Sequence, residues 1–168
     1  MNFEARTFRR IMRSLAAGVT VVTARDRQGR PWGLTATAVC LVSCEPPMLL
    51  VCIDRAADCH GPFAEAGSFA VNVLREDQET LSRHFANKAA DKFASVAVPW
   101  KDGETGAPIL EGALAHVECQ TAFCLPAGDH TIFLGKAVGG GAMADADAWA
   151  PLLHFRGKYA RLARQAPS

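Results

Sequence analysis

Thr35 and Thr37 stand on either side of a small residue, Ala36, in a stretch rich in strand-forming residues. In an extended strand alternate side chains share a face, so we expect the two hydroxyls to lie side by side. Hydroxyl and backbone N–H groups together can donate several hydrogen bonds to a phosphate. Threonine is also common in ordinary strands, so the pattern alone leaves both interpretations open.

Four further polar residues are candidates for a binding site. Asn72 interrupts an apolar run, and a buried amide needs a hydrogen-bond partner, which a ligand or a backbone carbonyl would supply equally well. Arg55 and Lys92 are either cations beside a ligand or solvated surface charges. His130 follows Gly128-Asp129, and these residue types favour a tight turn, so the histidine opens a strand.

The charge balance and the cysteines argue against several classes of protein. With 18 basic and 17 acidic residues the net charge is +1, which gives no electrostatic reason to expect a nucleic-acid or membrane partner. The six cysteines include no Cys-x-x-Cys pair, so a zinc site has weak support. Cys40, Cys44, Cys52 and Cys119 are expected to be buried free thiols. Residues 1–10 are charged and lack an apolar run, so we expect a cytoplasmic protein.

The length predicts one domain covering residues 1–168, and the apolar content of 49% suffices for a core. Hydrophobic periodicity predicts helices at 4–16 and 78–85 and strands at 19–23, 33–43, 48–53 and 69–74. The continuously apolar segment 48–53 is typical of a central strand that is buried on both faces.

The second half of the chain is predicted to be almost entirely β. Residues 87–108 form a polar surface excursion, and an alternating strand at 113–123 places Phe123 on the same face as Cys119. A turn leads into a strand at 130–138, residues 139–148 form a flexible loop, and 152–162 closes the sheet. About seven strands, mostly joined by hairpins, predict a mainly β fold with a few helices: an antiparallel barrel rather than an alternating βαβ fold.

Six segments, in order along nearly the whole chain, resemble the flavin reductase-like family. They are residues 33–43 (GLTATAVCLVS), 46–47 (PP), 50–53 (LVCI), 69–74 (FAVNVL), 128–130 (GDH) and 151–159 (PLLHFRGKY). Each segment is weak alone, but the ordered set is specific. The TATAVC segment is especially similar to the subgroup that contains the reductase of pyrimidine degradation. The resemblance implies an FMN-binding split barrel.

The resemblance also implies an activity, the NAD(P)H-dependent reduction of FMN or FAD, in which hydride passes from nicotinamide C4 to flavin N5. The reduced flavin would then supply a partner monooxygenase through a transient encounter. Because the cofactors carry this chemistry, no constellation of catalytic side chains is expected. Relatives usually pair as homodimers with the flavin near the interface. FMN and NADH are favoured over FAD and NADPH on resemblance only.

Carried over position by position, the resemblance assigns most candidate residues to the flavin. Thr35, Ala36 and Thr37 line its phosphate and ribityl chain, and the nicotinamide meets the flavin ring at His130. The other positions counted with the flavin site are Ser43, Ile53, Asp54, Arg55, Asn72, Phe85, Lys92 and Tyr159. Many relatives have Asn at position 37 and Ser at position 41, where this chain has Thr37 and Leu41.

Two other functions compete with the reductase. A non-enzymatic flavin carrier on the same barrel is open because fold alone does not decide function, but a carrier needs no nicotinamide site, so His130 after Gly128-Asp129 favours the enzyme. A Cys/His metal or redox sensor would need clustered thiolates, whereas these cysteines fall on apolar strands.

Overall fold

Strands outnumber helices in this computed structural model, which describes residues 3–88, 91–96 and 99–163. Within those ranges the helices are α1 (Ala5–Met12), α2 (His60–Ala66) and α3 (Glu79–Ala86), with a 3₁₀ turn at Ala146–Ala148. The strands of the first half are β1 (Ala17–Gly18), β2 (Thr20–Arg25), β3 (Pro31–Ala36), β4 (Val39–Cys44), β5 (Pro47–Asp54) and β6 (Ser68–Val73). Those of the second half are β7 (Trp100–Asp102), β8 (Pro108–Leu110), β9 (Ala115–Ala127), β10 (His130–Ala142), β11 (Leu153–Phe155) and β12 (Lys158–Ala160).

Seven of these strands form one antiparallel sheet in the order β3-β2-β6-β9-β10-β5-β4. This confirms the mainly β, antiparallel fold with few helices. The prediction that residues 152–162 close this sheet is wrong, because β11 and β12 join β1 in a separate three-stranded sheet. Arg156 and Gly157 take positive φ angles of 52° and 80°, and the tight turn they make folds this segment into its own hairpin.

The predicted strand at 33–43 is in fact two strands. A bend at Thr37–Ala38 separates β3 from β4, and the two halves lie at opposite edges of the seven-stranded sheet. Among the described residues these edges do not pair with each other, so the sheet is not closed by hydrogen bonds. The bend also means that Thr35 and Thr37 do not share the face of one strand.

The apolar strand β5 is present, but the prediction that it is a central strand buried on both faces is wrong. It lies next to the edge strand β4 rather than in the centre. Val51 and Ile53 are buried, whereas Met48, Leu50 and Cys52 on the other face remain half-buried. The uninterrupted apolar run therefore reflects one core face and one outward apolar face, rather than two core faces.

A register shift alters the predicted alternation in β9. Thr121 pairs with Gly135 and Phe123 pairs with the adjacent Leu134, so Ala122 is an extra residue in this ladder. Such a bulge moves the residues beyond it to the other face, and Phe123 is accordingly 60% exposed while Cys119 is fully buried. Residues 139–142, predicted as a loop, continue β10 and pair with β9.

The core lies between the inner face of the large sheet and helices α2 and α3. Phe63 of α2 packs with Phe69 and Phe133, and Phe85 of α3 packs with Leu74 and other large side chains. The predicted polar excursion 87–108 contains β7, which pairs with β8. Helix α1 is shorter than the predicted 4–16, and none of its residues is buried. Its apolar face, predicted from Phe8 and Ile11, is 52–54% exposed at those positions.

Candidate functional site

A cavity of about 210 Å³ opens beside β3, α3 and the loop after β5. Four of the residues singled out in the sequence line it, although they lie far apart along the chain: Thr35, Asp54, Phe85 and Lys92. Because the family resemblance assigns Thr35, Phe85 and Lys92 to the flavin, this space is named the flavin cavity. Trp32, Phe93 and Lys88 also line it, so aromatic surface and two amines face the same space.

Lys92 holds one wall of this cavity in place. Its Nζ donates hydrogen bonds to the carbonyl oxygens of Gly33 (3.1 Å) and Phe85 (2.8 Å), and His84 Nε2 bonds the Lys92 carbonyl at 2.7 Å. Burial lowers the pKa of Lys92, and the neighbouring Cys59 and Asp58 oppose that shift. An ammonium has three donors, so one N–H remains for an anionic ligand after both carbonyls are satisfied.

A second chain of contacts fixes Thr35. The Thr35 hydroxyl donates to the backbone oxygen of Ser82 at 2.6 Å, and the Ser82 hydroxyl bonds Tyr159 Oη at 2.8 Å. The Arg83 guanidinium stacks on the Tyr159 ring, 4.9 Å from its centroid. Tyr159 therefore supports the site by holding α3 against β12, and the Thr35 oxygen keeps its lone pairs for a donor on a ligand.

The turn that carries His130 lies at the end of the strand that supplies Asp54. His130 pairs with Asp54 across β10 and β5, and the Arg55 N–H donates to the Asp129 carbonyl at 2.9 Å. His130 Nδ1 lies 2.8 Å from an Asp129 carboxylate oxygen, and this bond lowers the pKa of Asp129. The neutral imidazole that donates through Nδ1 leaves Nε2 as an acceptor. One edge of the flavin cavity thus runs directly into the turn at 128–130.

Eight of the twelve predicted site residues do not line this cavity: Ala36, Thr37, Ser43, Ile53, Arg55, Asn72, His130 and Tyr159. Ala36 and Ile53 are buried in the core, and Asn72 is fully buried. The Asn72 amide donates to the Val21 carbonyl (3.1 Å) and accepts from the Leu110 N–H (2.9 Å). Of the two partners that the sequence left open, a ligand or the backbone, the structure shows the backbone. Ser43 accepts a bond from the Glu45 N–H on β4, away from the cavity.

Thr37 lies in a different cavity from Thr35. The bend that ends β3 points it toward α1 and the β11–β12 turn, in a cavity of about 380 Å³ that Arg9, Arg13 and Arg156 also line. No local sequence pattern predicted these arginines, or Trp32, which lines the flavin cavity. The ring N–H of Trp32 donates to Asp26 at 2.8 Å. An aromatic residue at the start of a strand beside a turn is ordinary, so no local signal marked it.

The cysteines are only partly as expected. All six are free, but only Cys59 and Cys119 are buried, while Cys40 and Cys44 are exposed. Burial raises the pKa of Cys119 to about 11, which makes its thiol inert. Within residues 3–88, 91–96 and 99–163 no three His, Cys, Asp or Glu side chains are grouped to hold a metal ion. The helices described there are all too short to cross a bilayer.

Comparison with known proteins defines the class to which this fold and cavity belong. The family model described as the flavin reductase like domain matches residues 12–163, which includes every residue of the flavin cavity. The chain therefore belongs to the flavin reductase-like family.

Individual relatives agree with this. The chain is 45% identical over 157 residues to the flavin reductase (NADH) of Kitasatospora aureofaciens, covering 92% of this chain and 80% of that one. It is 38% identical to the reductase component of a 4-nitrophenol 4-monooxygenase/4-nitrocatechol 2-monooxygenase from Rhodococcus opacus, over 90% of this chain and 78% of the relative. The crystallised NADH:FAD oxidoreductase SgcE6 of Streptomyces globisporus, in complex with NAD and FAD fragments, superimposes with a TM-score of 0.87 at 37% identity, covering 97% and 96% of the two chains.

Proposed function

We propose that this protein is an NADH-dependent flavin reductase that supplies reduced flavin to a partner monooxygenase. The observation that carries the proposal is the flavin cavity, which gathers Thr35, Asp54, Phe85 and Lys92 beside His130. The relatives named above are an NADH-dependent flavin reductase and the reductase component of a two-component monooxygenase. The flavin carrier, by contrast, gains no support from any of them.

The lining of the cavity fits the phosphate and ribityl end of a flavin. Two carboxylates, Asp54 and Asp58, and two amines, Lys88 and Lys92, line the cavity, and the amines favour a phosphate. Thr35 provides a hydroxyl oxygen that can accept from a ribityl hydroxyl. A cavity of about 210 Å³ is too small for a whole flavin nucleotide, so the isoalloxazine ring would extend past Asp54 toward His130. When bound, flavin and nicotinamide supply the hydride-transfer chemistry between themselves.

The protein's own contribution is positioning. Lys92 fixes the wall formed by β3 and α3 through its two carbonyl contacts. The bond to Asp129 orients the His130 ring next to Asp54, a residue of the cavity lining, where its Nε2 would bond the nicotinamide carboxamide. The backbone of residues 53–55, fixed by the pairing of β5 with β10, would form the edge along which the flavin ring is held.

We further propose that the chain forms one flavin reductase-like domain whose large sheet is a split barrel. The support is topological: β3 and β4 are opposite edges of the sheet, yet only the bend at 37–38 separates them in the chain. A sheet whose two edge strands are joined by two residues must curl until its edges meet. The Cys52 N–H, which donates to the Ala38 carbonyl at 3.0 Å, ties this bend to β5.

A homodimer is proposed from the outward face of strands β5, β9 and β10, here called the apolar sheet face. Its residues are Met48, Leu50, Cys52, Phe123, Leu125, Ile132 and Leu134, which the strand register places side by side. Phe123 and Leu125 are 60% and 51% exposed, and a contiguous exposed apolar patch marks an interaction surface. Asp54 and His130 lie at the end of the same face, so pairing here places the partner copy next to the flavin ring.

The free cysteines, three of them exposed, support a proposed location in the cytoplasm, where thiols are kept reduced.

The test is the oxidation of NADH by purified protein with FMN, with FAD and with no flavin. Oxidation that saturates with one flavin supports the reductase and identifies the flavin that it prefers. Measurable flavin binding without turnover on NADH or NADPH would overturn the proposal in favour of the carrier. Sedimentation of the wild type and of Phe123→Asp tests the dimer. An aspartate on the apolar sheet face should prevent pairing, so the variant should sediment as a monomer.

A further inference from the structure

The second cavity, here called the arginine cavity, lies between α1, the bend at 37–38 and the turn between β11 and β12. Its volume is about 380 Å³, and Arg9, Arg13, Arg156, His154 and Thr37 contribute its polar lining. The lining contains no carboxylate. Three cations with no carboxylate among the lining residues attract an anion.

The guanidinium groups of this cavity are available to a ligand. To the residues that the structure describes, the Arg9 and Arg13 side chains make no hydrogen bond or ion pair. An unpaired guanidinium presents five N–H donors in a planar fork that matches the geometry of a phosphate. An arginine that forms a surface ion pair turns toward an acidic residue of its own chain, which Arg9 and Arg13 do not do within the described residues.

The cavity is built from distant segments that the backbone locks together. The Arg156 N–H donates to the Arg13 carbonyl at 3.0 Å, which joins the end of α1 to the last hairpin. Arg156 has φ of 52°, a left-handed conformation that residues other than glycine, asparagine and aspartate seldom adopt, and its guanidinium stacks 5.0 Å from the Phe155 ring centroid. These contacts hold the Arg156 side chain at the rim.

The arginine cavity and the flavin cavity lie on the two sides of one bend. Thr35 lines the flavin cavity and Thr37 lines the arginine cavity. The Asp129–His130 turn adjoins the flavin cavity, because the N–H of Arg55, next to the cavity residue Asp54, donates to the Asp129 carbonyl. The pKa of Asp129 is lowered mainly by its bond from His130, and Arg9 adds to that effect, which places the Arg9 charge near the turn.

We propose that the arginine cavity binds the phosphate groups of the nicotinamide dinucleotide, while the flavin phosphate occupies the lysine-lined flavin cavity. This inference rests on the proposed reductase function. The two negatively charged ligands then have separate sites, each with basic side chains, and the flavin and nicotinamide rings meet between these sites, beside His130.

The experiment compares steady-state kinetics of the wild type, the double variant Arg9→Gln/Arg13→Gln and the control Arg10→Gln. Arg10 lies on the same helix and is exposed but does not line the cavity, so the control makes the same kind of charge change. Loss of two charge-assisted contacts is expected to raise KM for NADH by about 10-fold or more, equivalent to about 1.4 kcal/mol. We expect kcat and the KM for flavin of the double variant to stay within about two-fold of the wild type. All kinetic constants of the Arg10→Gln control should stay within the same range. Exposed α1 positions tolerate such changes, which a circular dichroism melt verifies.

Inorganic pyrophosphate provides an independent readout. It should inhibit the wild type competitively against NADH and lose this effect on the double variant. An unchanged KM for NADH in the double variant overturns the inference while the reductase function stands. A rise in KM for flavin instead of NADH also overturns it, because the cavity would then hold the flavin phosphate.

Failure of the proposed function gives a different result, namely a wild type that oxidises no nicotinamide. Calorimetric titration with pyrophosphate separates the two cases. Binding that the double variant loses supports the anion site and assigns the failure to the proposed function. Absence of binding to the wild type overturns the inference as well.

Discussion

Gly33 is the position where a single methyl group should disturb both the fold and the flavin cavity. A Cβ on this buried residue would lie 2.7 Å and 2.9 Å from two ring carbons of Phe85 and 3.3 Å from Phe93. The Phe85 ring is fully buried and packs edge-on against Phe93 at a centroid distance of 5.2 Å, so it can give way only by moving toward the flavin cavity that both rings line. Overpacking of this kind costs about 1–3 kcal/mol, and two rings that resist displacement favour the upper part of that range.

Gly33→Ala is therefore expected to lower the melting temperature by roughly 4–12 °C, from about 2–4 °C per kcal/mol for a chain of this length. Thermal unfolding followed by circular dichroism measures this shift. Because Phe85 also lines the flavin cavity, the flavin KM of the variant should rise at temperatures where it is still folded.

Two companion variants test the cause. Gly18→Ala adds the same methyl to another strand glycine that has no atom within 4 Å of its new Cβ, so we expect a change within about 0.5 kcal/mol. Phe85→Leu removes the ring edge, and the Gly33→Ala cost should shrink by about 1 kcal/mol or more in that background. A Gly33→Ala protein as stable as the wild type, or an equal cost with and without the Phe85 ring, would refute the reasoning.

Three further perturbations test other parts of the site. His130→Ala should lower kcat/KM for NADH about 10-fold or more while flavin binding measured by fluorescence changes little; equal loss of both would remove His130 from the nicotinamide site. Thr35→Val leaves the Ser82 carbonyl without its donor and should cost about 1 kcal/mol of stability as well as weaken flavin binding, whereas Thr35→Ser should retain both properties; unchanged flavin affinity in the valine variant would contradict the assigned contact. Burial lowers the pKa of Lys92, so its ammonium is lost at lower pH than that of a surface lysine. The flavin affinity of the wild type should therefore fall earlier in an alkaline titration than that of Lys92→Arg, whose guanidinium stays charged. Coincident titrations of the two proteins would exclude Lys92 as a phosphate ligand.

Local patterns in the sequence were sufficient to predict most individual elements. Helix α3 and strands β2, β5 and β6 lie within one or two residues of their predicted ranges, because each combines a hydrophobic period with clear turn residues at its ends. The predicted strand boundaries were wrong where the hydrophobic pattern continued through a bend in the backbone. Apolar and threonine residues run without interruption from 34 to 42. Only the pairing of the first part with β2 and of the second part with β5 divides this run at Thr37.

Burial was the property that the sequence predicted least well. Helix α1 and strand β5 both have apolar residues that the structure leaves in contact with solvent. Periodicity reports which residues share a face, but it does not report whether another element covers that face. The bulge at Ala122 has a similar effect, since one extra residue moves Phe123 from the predicted core face to the apolar sheet face.

The sequence by itself determined the family and hence the expected chemistry, because its ordered segments and the turn at 128–130 are local features of the chain. It also supplied the candidates Thr35, Asp54, Phe85 and Lys92, though not Arg9, Arg13 or Arg156. Only the tertiary structure decided that Asn72 serves the core, that Thr35 and Thr37 line separate cavities, and that three arginines from both ends of the chain meet. The physical reason is that cavities form between elements remote in sequence, and their lining depends on how those elements pack.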